Sequence, residues 1–305
     1  MKVENMGSLF MRMYFVSALA IFMPAICQAG GNVVDLIIVA GQSNAVGFHT
    51  RASELPEDPR DQSVMFWWRG GDNPPNEHDS SFNQEWVTLQ PQPKGNPGGR
   101  GPGNFGYDEG GFGPEMGVVR TLLDAQPDRP LAIVKVAYNS TRVNAWLPER
   151  NHLYRTLLEE TNLAIEKAKA QGITLRPRAL VWCQGESDTS NEPGTTERYR
   201  ESLETMIAAL RKDLEAPELI ALLGLNSRFG NRWARISSPR PAVENIRQAK
   251  IQIAEKSEYA EFVDDWGCKA VNIAHFGSEG TLELGKRYAE ALLQAEAKLN
   301  RTPRN

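Results

Sequence analysis

The chain has 305 residues, a formal net charge of −4 and 41% hydrophobic residues, enough for one large α/β domain or two small ones with a substantial core. The mild acidity contains no long block of like charge, which argues against nucleic acid or an anionic membrane surface as a dedicated partner. Four histidines and three cysteines make no metal-ligand spacing, and no cofactor motif appears, so neither a metal nor a cofactor is expected.

The N-terminus reads as an export signal over residues 1–29. Lys2 and Arg12 supply a basic flank, Met13 to Ile26 is mostly apolar, and Cys27-Gln28-Ala29 offers small residues for cleavage after Ala29. The apolar run is short for a membrane span and is broken by Pro24. Ile26 is too bulky for the position before a lipid-bearing Cys27. The expectation is a secreted or periplasmic protein with no stable membrane partner, whose residues 30–305 form one domain. Cleavage leaves Cys183 and Cys268, either bridged, with the loop around His275 tied to the sheet, or buried as two free thiols.

Strand-like apolar runs follow in order at Val34–Ala40, Leu131–Ala137, Ala179–Cys183, Leu219–Leu225 and Glu261–Val263. Helix-period segments lie between and after them at Glu115–Leu123, Leu153–Ala170, Thr196–Leu214, Ala242–Lys256 and Glu279–Leu299. This alternation predicts a five-stranded parallel sheet covered on both faces, a flavodoxin-like three-layer α/β/α sandwich. Residues 48–113 stand out as a long loop insertion rich in Gly, Pro, Asn and Asp. Its Trp67, Trp68 and Trp86 either offer flat faces to sugars or pin the loop to the core, the commoner role. Gly101-Pro102-Gly103-Asn104-Phe105-Gly106 matches a dinucleotide fingerprint only in letters, because it neither follows a strand nor opens a helix.

Chemistry concentrates at three strand ends. Gly41-Gln42-Ser43-Asn44-Ala45 breaks the first strand and presents one serine, the candidate nucleophile. Trp182-Cys183-Gln184-Gly185-Glu186-Ser187-Asp188 follows the third strand, and Asn272-Ile273-Ala274-His275-Phe276 precedes the last helix. His275 is the candidate base. His49 is set aside because a site assembled from loops seldom takes two partners from one turn.

These segments, with Phe112-Gly113-Pro114-Glu115, resemble the SGNH-type esterases, and most closely the sialate O-acetylesterase and acetylxylan esterase group, carbohydrate esterase family 6. The resemblance runs from about Val34 to about Leu293 and implies the SGNH hydrolase fold and removal of O-acetyl groups from carbohydrates. The family carries an aspartate where this chain has Asn272. Glu186 therefore becomes the candidate acid, with Asn272 as its aid and Asp188 and the Asp264-Asp265 pair as further options. The resemblance assigns the oxyanion hole to the N–H of Ser43, the loop carrying Asn139 and Ser140, and the Gln184 side chain. Relatives often have Gly-Gly at 139–140, and the bulkier pair suits a small acyl group such as acetyl. Glu115 is read as a structural helix-start residue and Trp146 as a wall or packing residue beside the substrate. Arg142 and Arg228 are candidate substrate-binding residues, since an arginine can hold a sugar carboxylate. Two other readings remain: a non-catalytic carbohydrate-binding descendant, and an α/β-hydrolase-type lipase.

Overall fold

The computed structural model describes residues 32–70, 84–94, 104–149, 152–226 and 240–301. The proposed signal and Arg228 lie outside these residues. The five expected strands form as β1 (Asn32–Gly41), β4 (Leu131–Ala137), β5 (Ile173–Cys183), β6 (Ile220–Gly224) and β7 (Ala260–Val263). Two more, β2 (Met65–Arg69) and β3 (Val87–Thr88), extend the sheet to seven strands in the order β3-β2-β4-β1-β5-β6-β7. All neighbours are parallel except β2 and β3. Without the added pair the order is that of flavodoxin, so the sandwich stands as expected and the strand count is corrected from five to seven.

The helices are α1 (Ser43–Val46), α2 (Glu115–Ala125), α3 (His152–Ala170), α4 (Thr195–Asp213), α5 (Arg240–Lys256) and α6 (Ser278–Arg301). Side chains alternate across a strand, and β1 sorts accordingly. Its Ile37 and Val39 join a core with Met116 and Leu122 of α2 and with Leu284, Tyr288 and Leu292 of α6. Its Leu36, Ile38 and Ala40 join a second core with Leu157 of α3, Leu203 of α4 and Ile246 of α5. Burial on both faces explains the near-continuous apolar run of the central strand. Helices α2 and α6 approach most closely at Gly117 and Gly285, where any Cβ would meet the facing backbone within about 2.2 Å.

Strand β2 lies inside the stretch expected to be a loop. All five of its residues are buried. Trp67 Nε1 donates to Glu160 Oε2 at 2.8 Å, and Trp86 Nε1 donates to the Ala164 carbonyl at 3.0 Å. Trp67 and Trp86 thus pin the insertion to α3, Trp68 is buried in the opposite core, and the packing alternative holds for all three. Between β1 and β5 the register slips at Leu36/Ile37, so that Leu36 faces Pro177 and Ile37 faces Ala179. Pro177 cannot donate to a ladder. The bulge accommodates it and turns Arg178 toward Asp35 and Glu296 at the amino end of the sheet.

Candidate active site

Ser43 stands where β1 ends. Gly41 has φ +139, and a Cβ there would lie 2.1 Å from the Cys183 carbonyl oxygen, so only glycine lets the chain leave the strand this close to β5. The chain then turns at Gln42 into α1. Loops after β1 and β5 diverge at this point, and such a crevice at the carboxyl edge of a parallel sheet is where ligands bind. Ser43 Oγ lies 3.1 Å from Nε2 of His275, 232 residues away in sequence.

His275 is delivered by a tight loop between β7 and α6. Ala270 and Phe276 pair as an antiparallel bridge, and the Val271 N–H donates to the His275 carbonyl at 3.1 Å. Asn272 Oδ1 accepts from the N–H groups of Ala274 and His275, both at 2.9 Å. Asn272 therefore shapes the loop backbone and does not bond the imidazole. Nδ1 of His275 is buried without a hydrogen-bond partner among the described residues. Burial, and after it the neighbouring His49, pushes the His275 proton affinity down to about 4.

Glu186 is not on Nδ1 either. Its Oε1 accepts from Asn44 Nδ2 at 2.7 Å, while its Oε2 is buried and unpartnered. The same Asn44 amide donates to the Ala274 carbonyl at 2.9 Å, and its oxygen accepts from the Phe276 N–H at 3.3 Å. Asn44 thus grips the chain on both sides of His275 and is itself held by Glu186. The sequence offered no sign of this role beyond the adjacency of Asn44 to Ser43.

The other expected site residues divide. The loop after β4 stays beside the nucleophile because the Tyr138 N–H donates to the Gly41 carbonyl at 3.0 Å. Asn139 Nδ2 donates to the Asn104 carbonyl at 3.3 Å. Ser140 adopts φ +58, and Arg142 is exposed on the same loop. Gln184 requires a correction. It is fully buried, and its Nε2 reaches the Thr141 carbonyl at 2.9 Å and Asp188 Oδ2 at 2.5 Å, so its amide hydrogens are spent on bracing loops and not on an oxyanion. Asp188 also accepts from the Val143 N–H, and burial raises its proton affinity. Trp146 takes the packing role of its two alternatives: it is fully buried, edge-on to Trp182 with ring centroids 5.3 Å apart, so its substrate-binding reading is not carried forward. Glu115 is structural, though through a buried ion pair with Lys135 at 2.8 Å.

Lys250 is a residue that sequence reasoning passed over. Its buried ammonium donates to the carbonyls of Gln184 and Gly224 and to Asn226 Oδ1, which ties the Glu186 turn to the end of β6. Burial lowers its proton affinity to about 8, against the pull of Glu186 and other acidic groups. Cys183 and Cys268 are free and buried, so the bridge is not formed. Among the described residues no group of acidic, histidine or cysteine side chains is arranged to hold a metal ion, and no helix is long and apolar enough to cross a membrane.

Residues 33–294 match the family model described as carbohydrate esterase, sialic acid-specific acetylesterase. A search of curated proteins returns no match to the chain. Among solved structures, a protein from Arabidopsis thaliana superposes with a TM-score of 0.61 at 20% identity, over 87% of this chain and 99% of that one. NanS superposes with a TM-score of 0.60 at 18% identity, over 88% and 99%. A carbohydrate acetylesterase from Xanthomonas citri superposes with a TM-score of 0.57 at 15% identity, over 87% and 56%.

Proposed function

The chain belongs to the sialic acid-specific acetylesterase family of carbohydrate esterases, and from that premise we propose that it removes O-acetyl groups from a sugar with Ser43 as nucleophile and His275 as general base. The observation that carries this reading is the 3.1 Å approach of Ser43 Oγ to His275 Nε2, within the range of a working nucleophile–base pair. Ser43 Oγ attacks the acetyl carbonyl carbon as its proton passes to Nε2. The tetrahedral oxyanion is met by backbone N–H groups of Ser43 and the 139–140 loop. Collapse returns the proton to the departing sugar oxygen, and water repeats the sequence to free acetate.

Among the described residues no carboxylate bonds Nδ1. Glu186 acts on the histidine at one remove: it orients Asn44, and Asn44 and Asn272 fix the backbone on which His275 sits. An imidazole held this way lacks the charge that steadies an imidazolium, so the turnover is expected to be slower than that of a full triad. With its proton affinity down to about 4, the base stays unprotonated through mildly acidic conditions. The kcat/KM plateau should therefore reach to about pH 5 before it falls. The basic N-terminus and its apolar run support export.

The test is acetate release from acetylated sialic acid, acetylated xylan and simple sugar acetates, with Ser43→Ala as control. Ser43→Ala should drop to background. Sugar binding with no Ser43-dependent release would favour the non-catalytic descendant.

A further inference from the structure

The described part of the insertion returns to the active site. Gly47 ends α1 in the left-handed region at φ +88. Thr50 Oγ1 bonds the Gly47 and Phe112 carbonyls, both at 2.8 Å, and the Gly106 N–H donates to the Phe48 carbonyl at 2.7 Å. The turn so formed lays Phe48 and His49 against the catalytic histidine. The ring centroids of His49 and His275 are 4.8 Å apart at 59°, and those of Phe48 and His275 are 5.3 Å apart. Nδ1 of His49, like Nδ1 of His275, is buried with no hydrogen-bond partner.

Burying an unpaired ring nitrogen is unfavourable, and a phenyl ring would pack here without that cost. The imidazole therefore brings something that packing does not require. Resting on the reading of Ser43 and His275 as nucleophile and base, we propose that His49 is a positioning residue for His275: its ring seats the His275 ring toward Ser43 and opposes a second positive charge beside it. It works in the opposite electrostatic sense from the acid of a triad.

The neighbouring charges leave this pair to itself. His275 faces Ser43 and Asn44 from α1, Phe48 and His49 from the turn, and Glu186 only beyond Asn44. Glu186 and Asp265 line a small cavity on the far side of Asn44 and Ala274. His49 faces Phe48 and Tyr107, and the Arg51 guanidinium over the Tyr107 ring is paired with Glu109. Burial lowers the proton affinity of His49 as well. The two imidazoles then titrate as a coupled unit, with the first proton on His49 and the second resisted on His275.

The decisive measurement is an imidazole NMR titration of the full chain, as wild type and with Ser43→Ala, alongside kcat/KM against pH on p-nitrophenyl acetate. The expected result is two linked steps in the wild type, with His275 last. In His49→Phe, which keeps a ring, His275 should titrate in one step at higher pH. The acid limb of kcat/KM should rise by roughly half a pH unit, about a threefold loss at the acid end. His49→Gln serves as a second variant and should move the limb the same way. An unmoved His275 titration and acid limb in both variants overturns the proposal. The titration does not depend on turnover, so a Ser43→Ala variant that keeps full activity would sink the esterase reading separately.

Discussion

The two ends of the β-sheet are built to opposite rules. At the amino end, Asp35 is 2% exposed yet meets three arginines, Arg129, Arg176 and Arg178, and Arg178 continues to Glu296 at 2.8 Å. At the carboxyl end, Nδ1 of His275, Nδ1 of His49 and Oε2 of Glu186 are buried with no hydrogen-bond partner among the described residues. Asp35 Oδ2 and Arg178 Nη1 also lack a hydrogen bond but sit within these ion pairs, whereas the three atoms at the carboxyl end have no ion-pair partner among the described residues. Buried polar groups are ordinarily satisfied, so a concentration of unsatisfied ones marks a place shaped for something other than stability.

That contrast breaks most visibly at Asp35. Asp35→Asn removes the buried charge that Arg129, Arg176 and Arg178 share, with Arg178 keeping Glu296, and should cost about 3 kcal/mol in urea unfolding, the scale of a broken buried pair. The specific activity of the folded protein should stay unchanged. A large activity loss with little loss of stability would show that the amino end is coupled to the site. Next comes Asn44→Ala at the opposite end. It releases the chain on both sides of His275, and misplacing a base by about 1 Å costs about a hundredfold in kcat, or roughly 2.7 kcal/mol. Stability should fall far less. Single-turnover kinetics separate this from a binding defect.

Much of this division was legible in the sequence, and the exceptions are physical. The central strands announced themselves because burial on both faces leaves continuous apolar runs. Met65–Arg69 did not, because five residues amid Pro, Gly and Asp read as loop until β4 supplies a ladder. Ser43 and His275 were recognisable by motif and order. Gln184 and Trp146 each kept a structural alternative open, because an amide or an indole has the same letter whether it faces a substrate or a core. Asn44 was overlooked, and His49 was set aside, for a related reason. Their roles rest on contacts across more than two hundred residues, and the turn at Gly47 that brings His49 around cannot be seen in a window of sequence.

Glu186→Gln refines the carboxyl end further. Glutamine can still accept from Asn44 Nδ2 but without charge, so the grip weakens and is not lost. A drop in kcat of about tenfold is expected, roughly 1.4 kcal/mol. Unchanged turnover would remove Glu186 from the reaction and leave Asn44 and Asn272 alone to hold the histidine loop.

The smallest effect lies at Ser140. Its φ of +58 is a left-handed conformation that an L side chain adopts at a cost, and the Thr141 hydroxyl holds the turn by donating to the Tyr138 carbonyl at 3.1 Å. Ser140→Gly relieves that strain but gives the unfolded chain more freedom. The two partly cancel, so a gain below about 1 kcal/mol is expected. Function offers the sharper readout. If the side chains of this loop confine the acyl group, the glycine variant should accept propionyl and butyryl esters better relative to acetyl, with acetyl turnover nearly constant. An unchanged preference would mean that the acyl pocket is bounded elsewhere, and that the loop after β4 serves the reaction only through its backbone N–H groups.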